Sequence, residues 1–158
     1  MRWLVTGGCG FIGSALVRRL LGVDPPPPGG VQAPVERVVV LDALTYAGRR
    51  ENLAPCLDDP RLALVHGDIA DAALVRRVLE EHRPSALLNL AAESHVDRSI
   101  LGPGVFVTTN VMGAQVLLDA ALEHGVERFL CVSTDEVYGP APEGVMFGED
   151  ARFCPSNP

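Results

Sequence analysis

The sequence has no surplus of basic residues: 13 lysine-plus-arginine side chains stand against 20 aspartates and glutamates, for a formal net charge of -7 and an isoelectric point near 5.0. A nucleic-acid backbone calls for a clustered basic face, so no nucleic-acid partner is expected; a single bound nucleotide remains compatible with the balance. No uninterrupted apolar run approaches the roughly 18 residues of a membrane span, and the N-terminus reads as a strand, not a signal peptide. A cytoplasmic protein with no membrane partner is expected. Nor is there a C-x-x-C pair. Cys9, Cys56, Cys131 and Cys154 lie far apart, which suggests neither a zinc site nor a disulfide framework. Cys9, inside a glycine loop, and Cys131, inside an expected strand, read as small apolar fillers. His66, His82, His95 and His124 lack ligand spacing, and no metal site is expected. No internal repeat is visible. A chain of 158 residues with 47% apolar content can bury one sizeable core and is too short for two ordinary domains. One domain over residues 1–158 is expected, with a proline-rich insertion at 24–36.

What the chain does have is glycine concentrated in one place. Leu4–Gly13 reads L-V-T-G-G-C-G-F-I-G, and Gly7, Gly8, Gly10 and Gly13 satisfy both G-x-x-G-x-x-G and G-x-G-x-x-G. An apolar run precedes them and a helical pattern follows. In that context a strand turns sharply into a helix whose N-terminus can meet a pyrophosphate, and side chains would hold the phosphates away. A turn that merely needs positive φ produces similar spacing. The position straight after a β-type run favours dinucleotide binding.

Arg2 to Thr6 reads as the first strand and Phe11 to about Leu21 as the first helix, with Ile12, Ala15, Leu16 and Leu20 at helical spacing and Gly22 as its stop. The Pro/Gly-rich stretch that follows can neither donate to a sheet nor continue a helix. It is expected to be a solvated, polyproline-like insertion in a shorter turn. Arg37 to Leu41 is a continuous apolar run, the mark of a parallel strand covered on both faces. It ends in Asp42, whose carboxylate can accept hydrogen bonds from the adenosine ribose and would repel a 2′-phosphate. The alternative is a solvated aspartate opening a turn. No arginine directly follows Asp42, although Arg49 and Arg50 are near, and NAD is expected over NADP.

A short helix is expected around Arg49 to Leu57, then a third strand from Leu62 to His66. That strand runs into Gly67-Asp68-Ile69. Asp68 either bonds the adenine amino group, with Ile69 packed on the ring, or caps the helix that begins near Asp71. Leu74, Val75, Val78 and Leu79 give that helix an apolar stripe, and Arg83-Pro84 stops it. Ala86 to Ala92 reads as the fourth strand, followed by E-S-H-V-D-R-S at the carboxyl edge of the sheet, where ligands bind in open α/β folds. Gly102-Pro103-Gly104 separates this loop from the longest helical pattern, carried by Ala114, Leu117, Leu118, Ala121 and Leu122 and closed by Gly125. Arg128 to Ser133 reads as the fifth strand. The alternation implies an α/β chain: a Rossmann-type doubly wound parallel sheet with right-handed crossovers and strand order 3-2-1-4-5.

The fifth strand runs out into Ser133-Thr134-Asp135-Glu136-Val137-Tyr138-Gly139, at the edge where a nicotinamide would lie. Adjacent residues of an extended segment point to opposite sides, so Asp135 and Glu136 can reach different atoms of one substrate. Elimination of water across a carbon–carbon bond needs such a division: a base for the C–H proton and an acid for the departing hydroxyl. The two carboxyl groups would need surroundings that push their pKa values apart. By charge pattern alone the pair reads as a solvated turn; its position favours chemistry.

These segments together resemble the N-terminal part of dTDP-glucose 4,6-dehydratases, of the extended short-chain dehydrogenase/reductase family. The resemblance rests on V-T-G-G-C-G-F-I-G, L-D-A-L-T-Y-A-G at Leu41–Gly48, G-D-I at Gly67–Ile69, N-L-A-A-E-S-H-V-D-R-S at Asn89–Ser99, T-N at Thr109–Asn110 and S-T-D-E-V-Y-G at Ser133–Gly139. The last is narrow, because related 4-epimerases usually carry small residues at Asp135-Glu136. The resemblance implies an NAD site lined by Phe11, Ile12, Asp42, Ala43, Leu44, Thr45, Asp68, Ile69, Leu90, Ala91, Ala92, Glu93, Ser94 and Thr109, beside the loop glycines Gly7, Gly10 and Gly13. Ser94 and Thr134 would touch the sugar of a nucleotide-sugar substrate, dTDP-glucose. It implies oxidation at C4, removal of the C5 proton by Glu136, protonation of the departing C6 hydroxyl by Asp135, and return of the hydride to C6. A homodimer is implied for the complete protein. The family's Y-x-x-x-K should begin immediately after a P-S-N-P like Pro155–Pro158, and neither Tyr46 nor Tyr138 has Lys four residues later. The chain as it stands is therefore expected to be an inactive portion of such an enzyme. The competing readings are a catalytically silent NAD-binding module and a UDP-sugar dehydratase or epimerase.

Overall fold

The computed structural model describes residues 1–26, 28 and 34–156. Five strands form one parallel sheet in the order β3-β2-β1-β4-β5: β1 Arg2–Thr6, β2 Arg37–Asp42, β3 Leu62–His66, β4 Ala86–Asn89 and β5 Arg128–Cys131. Alternate residues of each strand enter opposite layers. Leu4, Val39, Leu41 and Leu87 pack with Val75, Val78, Leu79, Leu117 and Ala121 on one side. Val5, Val38 and Val40 pack with Val17, Leu21, Leu53 and Cys56 on the other. Covering on both faces is why β2 carries an unbroken apolar run.

α1, Phe11–Leu20, begins at Gly10 and covers the second layer. α2, Ala72–His82, covers the first; the Asp71 carboxylate caps it, accepting from the N–H groups of Ala73 and Leu74. The segment expected as a helix after β2 is a 3₁₀ helix, Arg50–Cys56, with Pro55 inside it. Proline has no N–H for an α-helical ladder. Residues 27 and 29–33 of the 24–36 insertion lie outside the described residues, as do residues 157 and 158 of the P-S-N-P stretch.

Both strands nearest the site are shorter than expected. β4 stops at Asn89, and two residues on the Ala91 N–H turns to the Thr6 hydroxyl at 3.2 Å. β5 stops at Cys131, which is exposed at the sheet edge and is not the buried filler expected; Cys9 is fully buried. The polar run after β4 contains a short helix, α3, Val96–Leu101. Pro103 does not separate a loop from a helix but starts one: α4 Pro103–Phe106, a π-helical stretch Val107–Gly113 and α5 Ala114–Glu123 run on as one 21-residue helix. By length and composition this helix is apolar enough to cross a membrane. Leu117, Ala120 and Ala121 account for part of that character by packing on the sheet.

Candidate cofactor and substrate site

The carboxyl ends of β1, β2 and β4 open into a cleft of about 410 Å³. Its floor is the glycine loop. Gly7 has φ +66°, and a Cβ there would lie 2.7 Å from the Ala91 nitrogen; a Cβ on Gly13 would collide with the Gly7 carbonyl oxygen. Only glycine lets β1, β4 and the start of α1 approach so closely. The N-terminus of α1 thus faces the cleft with its first N–H groups directed outward, which suits a phosphate group. Phe11 and Ile12 lie on this floor at 90% and 63% exposure. Large apolar side chains left open in a concave site mark a surface built to be covered.

One wall follows β2. Asp42 is buried, and each oxygen takes a backbone N–H at 2.8 Å: Oδ2 from Cys9 and Oδ1 from Leu44. The carboxylate thereby ties the glycine loop to the end of β2. Two carboxylate oxygens offer about four acceptor positions, so capacity for ribose hydroxyls remains. Burial, with Asp42 second, pushes the Cys9 thiol up to about 12. Asn52 braces the same loop, its Nδ2 donating to the Cys9 carbonyl at 2.8 Å. Ala43, Thr45, Asp68 and Ile69 line this side. Asp68 does not cap α2; its Oδ1 accepts from Ala70 N–H at 2.8 Å, while Asp71 does the capping. Leu44 does not line the cleft: it sits at φ 52° and packs into the second core layer.

Leu90, Ala91, Ala92, Glu93 and Ser94 form the opposite wall, with Thr109 beside them. Sequence reasoning gave Asn110 no role, although T-N was in view. Its side chain accepts from Glu93 N–H at 2.9 Å and donates to the Glu93 carbonyl at 2.8 Å, so the π-helical stretch holds this wall in place. Below it the buried Thr6 hydroxyl donates to Asn89 Oδ1 at 2.5 Å, joining β1 to β4.

A second cavity of about 470 Å³ shares Ile12 and Leu90 to Ser94 with the first and continues to Ser133, Thr134 and Glu136. The extended segment expected here is instead a 3₁₀ turn, Asp135–Tyr138. The Thr134 hydroxyl causes it, accepting from Glu136 N–H at 3.2 Å and donating to Asp135 Oδ1 at 3.4 Å. The two carboxylates therefore do not alternate as strand residues would. Thr134 and Glu136 line the cavity and Asp135 does not.

The family described as GDP-mannose 4,6 dehydratase matches residues 4–158. The low-salt glycan biosynthesis protein Agl12 of Haloferax volcanii is 52% identical over 155 residues, covering 98% of this chain and 46% of that protein. A dTDP-glucose 4,6-dehydratase of Streptomyces antibioticus is 51% identical over 158 residues, covering 100% of this chain and 44% of that protein. Among solved structures, DesIV, a dTDP-glucose 4,6-dehydratase from Streptomyces venezuelae with NAD bound, superposes with a TM-score of 0.89 at 52% identity, over 99% of this chain and 46% of that one. The chain spans a little under half the length of these relatives. Matched from its glycine loop to its last residue, the chain belongs to the GDP-mannose 4,6 dehydratase family.

Proposed function

We propose that this chain supplies the NAD site and the elimination carboxylates of a cytoplasmic nucleotide-sugar 4,6-dehydratase, which converts dTDP-glucose to dTDP-4-keto-6-deoxyglucose and water. One observation carries the reading: two cavities joined through Ile12 and Leu90 to Ser94 lead from Asp42 and Asp68 at one end to Thr134 and Glu136 at the other. That is the layout a dinucleotide and a sugar need to meet end to end. NAD, when bound, supplies the acceptor for the C4 hydride and gives it back at C6. Asp42 would accept from the adenosine ribose, Asp68 would bond the adenine amino group, and the N–H groups at the start of α1 would hold the pyrophosphate. Ser94 and Thr134 hold the sugar. Oxidation at C4 would acidify the C5 hydrogen, and Glu136 would take it as a proton. Asp135, bonded to the Thr134 hydroxyl just outside the cavity lining, would protonate the departing C6 hydroxyl, and a proton would return to C5 as the hydride returns to C6.

The chain contains no lysine. Tyr138 is packed against Phe147 and Phe153, with ring centroids 5.8 and 5.5 Å away. The base for the C4 hydroxyl therefore belongs to residues outside this sequence. The reading is tested with Glu136→Gln in the full chain as its gene encodes it. The variant should still oxidise C4, seen as reduced nicotinamide that persists, while exchange of the C5 hydrogen with solvent slows by about 10²–10⁴. Exchange at the unmutated rate would remove Glu136 from the reaction.

The same reading includes a homodimer. Val107, Val111, Ala114, Leu118 and Leu122 follow one another along one flank of the 21-residue helix, and none of them lines either cavity. Leu118 is 51% and Leu122 84% exposed. The helix is roughly 30 Å long, and a stripe of this kind is self-complementary across a two-fold axis, as a symmetric dimer requires.

A further inference from the structure

The two walls of the dinucleotide cleft meet a second time, at their outer ends. Tyr46 lies between Thr45 and Ala47, both of which line the β2 wall. Arg98 is on α3, four residues beyond Ser94 of the opposite wall. Its guanidinium carbon stands 4.1 Å from the Tyr46 ring centroid, well inside the range of a cation–π contact. Tyr46 also shares a shallow groove with Phe11, Ser14 and Ala15 of α1. The stack therefore crosses on the side of the helix N-terminus, where the pyrophosphate is placed.

Each wall is rigid at its root. Asp42 and the Arg49 N–H, which donates to the Cys9 carbonyl at 3.0 Å, fix the first to the glycine loop; Asn110 fixes the second. At the outer ends there is no comparable tie: among the described residues no hydrogen bond joins the segment 43–48 to the segment 90–101. The Arg98–Tyr46 stack is what connects them there. Both side chains are exposed, and neither belongs to the core.

We infer that Arg98 and Tyr46 form a clasp over the dinucleotide, a separable contact that must open for the cofactor to enter or leave. The inference rests on the NAD reading above and extends it to two positioning residues that touch no reacting atom. The contact is neutral to the fold because its loss leaves both roots intact. It acts on exchange: breaking it removes a barrier to release, and a cation–π contact between exposed side chains corresponds to a change of about two- to fivefold.

The test is stopped-flow displacement of NADH by excess NAD, followed by nicotinamide fluorescence, on the full chain as its gene encodes it. Tyr46→Leu keeps apolar bulk without a π face, Arg98→Gln removes the cation, and Tyr46→Phe keeps the ring. The first two should each speed release about two- to fivefold with an unchanged melting temperature. Tyr46→Phe should release at the wild-type rate, and Tyr46→Leu with Arg98→Gln should be no faster than the faster single variant. Wild-type release in both single variants, or effects that multiply in the double variant, would overturn the clasp while leaving the NAD site standing. A wild-type protein that does not bind NADH would overturn the cofactor reading and the clasp with it.

Discussion

Gly13 and Gly10 both belong to the loop under the cleft, yet an added methyl group should act on them in different ways. At Gly13 the new Cβ would overlap the Gly7 carbonyl oxygen and stand 2.9 Å from both Gly7 C and Gly8 Cα. These are backbone atoms that cannot rotate aside. Overpacking of this kind typically costs about 1–3 kcal/mol, which in a chain of this size lowers the melting temperature by about 2–12 °C. The displaced loop would also lose the Gly10 N–H to Gly7 carbonyl bond of 3.1 Å, which sets the start of α1. At Gly10 the backbone is already acceptable to alanine, with φ -76°, and the new Cβ meets only the Gly7 oxygen at 3.3 Å. Stability should change by less than about 1 kcal/mol, because the freedom removed from the unfolded chain offsets the small give that this contact asks of the Gly7 carbonyl. Gly10 lines the cleft, however, and its methyl group would stand where a phosphate approaches. Losing one hydrogen bond to a charged group should weaken NAD about 10–150-fold. Thermal melts and NAD titrations of Gly13→Ala and Gly10→Ala in the full chain separate the two effects. Gly13→Ala with an unchanged melting temperature would refute the close-approach argument, and Gly10→Ala with unchanged affinity would move the pyrophosphate away from this loop.

Asp42→Ala removes the acceptor of two backbone N–H groups as well as the ribose contact. It should destabilise the fold by roughly 3 kcal/mol and weaken NAD while narrowing its advantage over NADP, read by titration below the melting transition; unchanged NAD affinity would remove Asp42 from the site. Leu118→Glu puts one carboxylate per protomer into the proposed dimer contact. It should raise the dissociation constant about 100-fold or more, measured by sedimentation; an unchanged dimer would place the interface elsewhere.

The sheet was legible because its central strands are covered on both faces and carry unbroken apolar runs, as in Val38–Leu41. Strand ends were less so. The run through Ala92 looks like strand, but the Ala91 N–H leaves the ladder for the Thr6 hydroxyl, an 85-residue separation that no local pattern reveals. Asp135 and Glu136 looked extended for a different, local reason: the turn comes from the Thr134 side chain bonding the backbone two residues on. The cleft was legible through its glycines and the acidic residues at strand ends. Leu44 was misplaced because its left-handed backbone turns an apolar side chain into the core. The Arg98–Tyr46 contact has no sequence signal, since 52 positions separate two residues that meet only when the sheet assembles.

The central claim is that the cleft and its carboxylates perform elimination, and the product formed in heavy water tests it most directly. The full chain as its gene encodes it, supplied with NAD and dTDP-glucose in D₂O, should yield a 4-keto-6-deoxy sugar nucleotide. The product should have lost one water and carry deuterium at C5, with no lasting accumulation of NADH. Recovery of the 4-epimer, with its water retained and no deuterium at C5, would contradict the account.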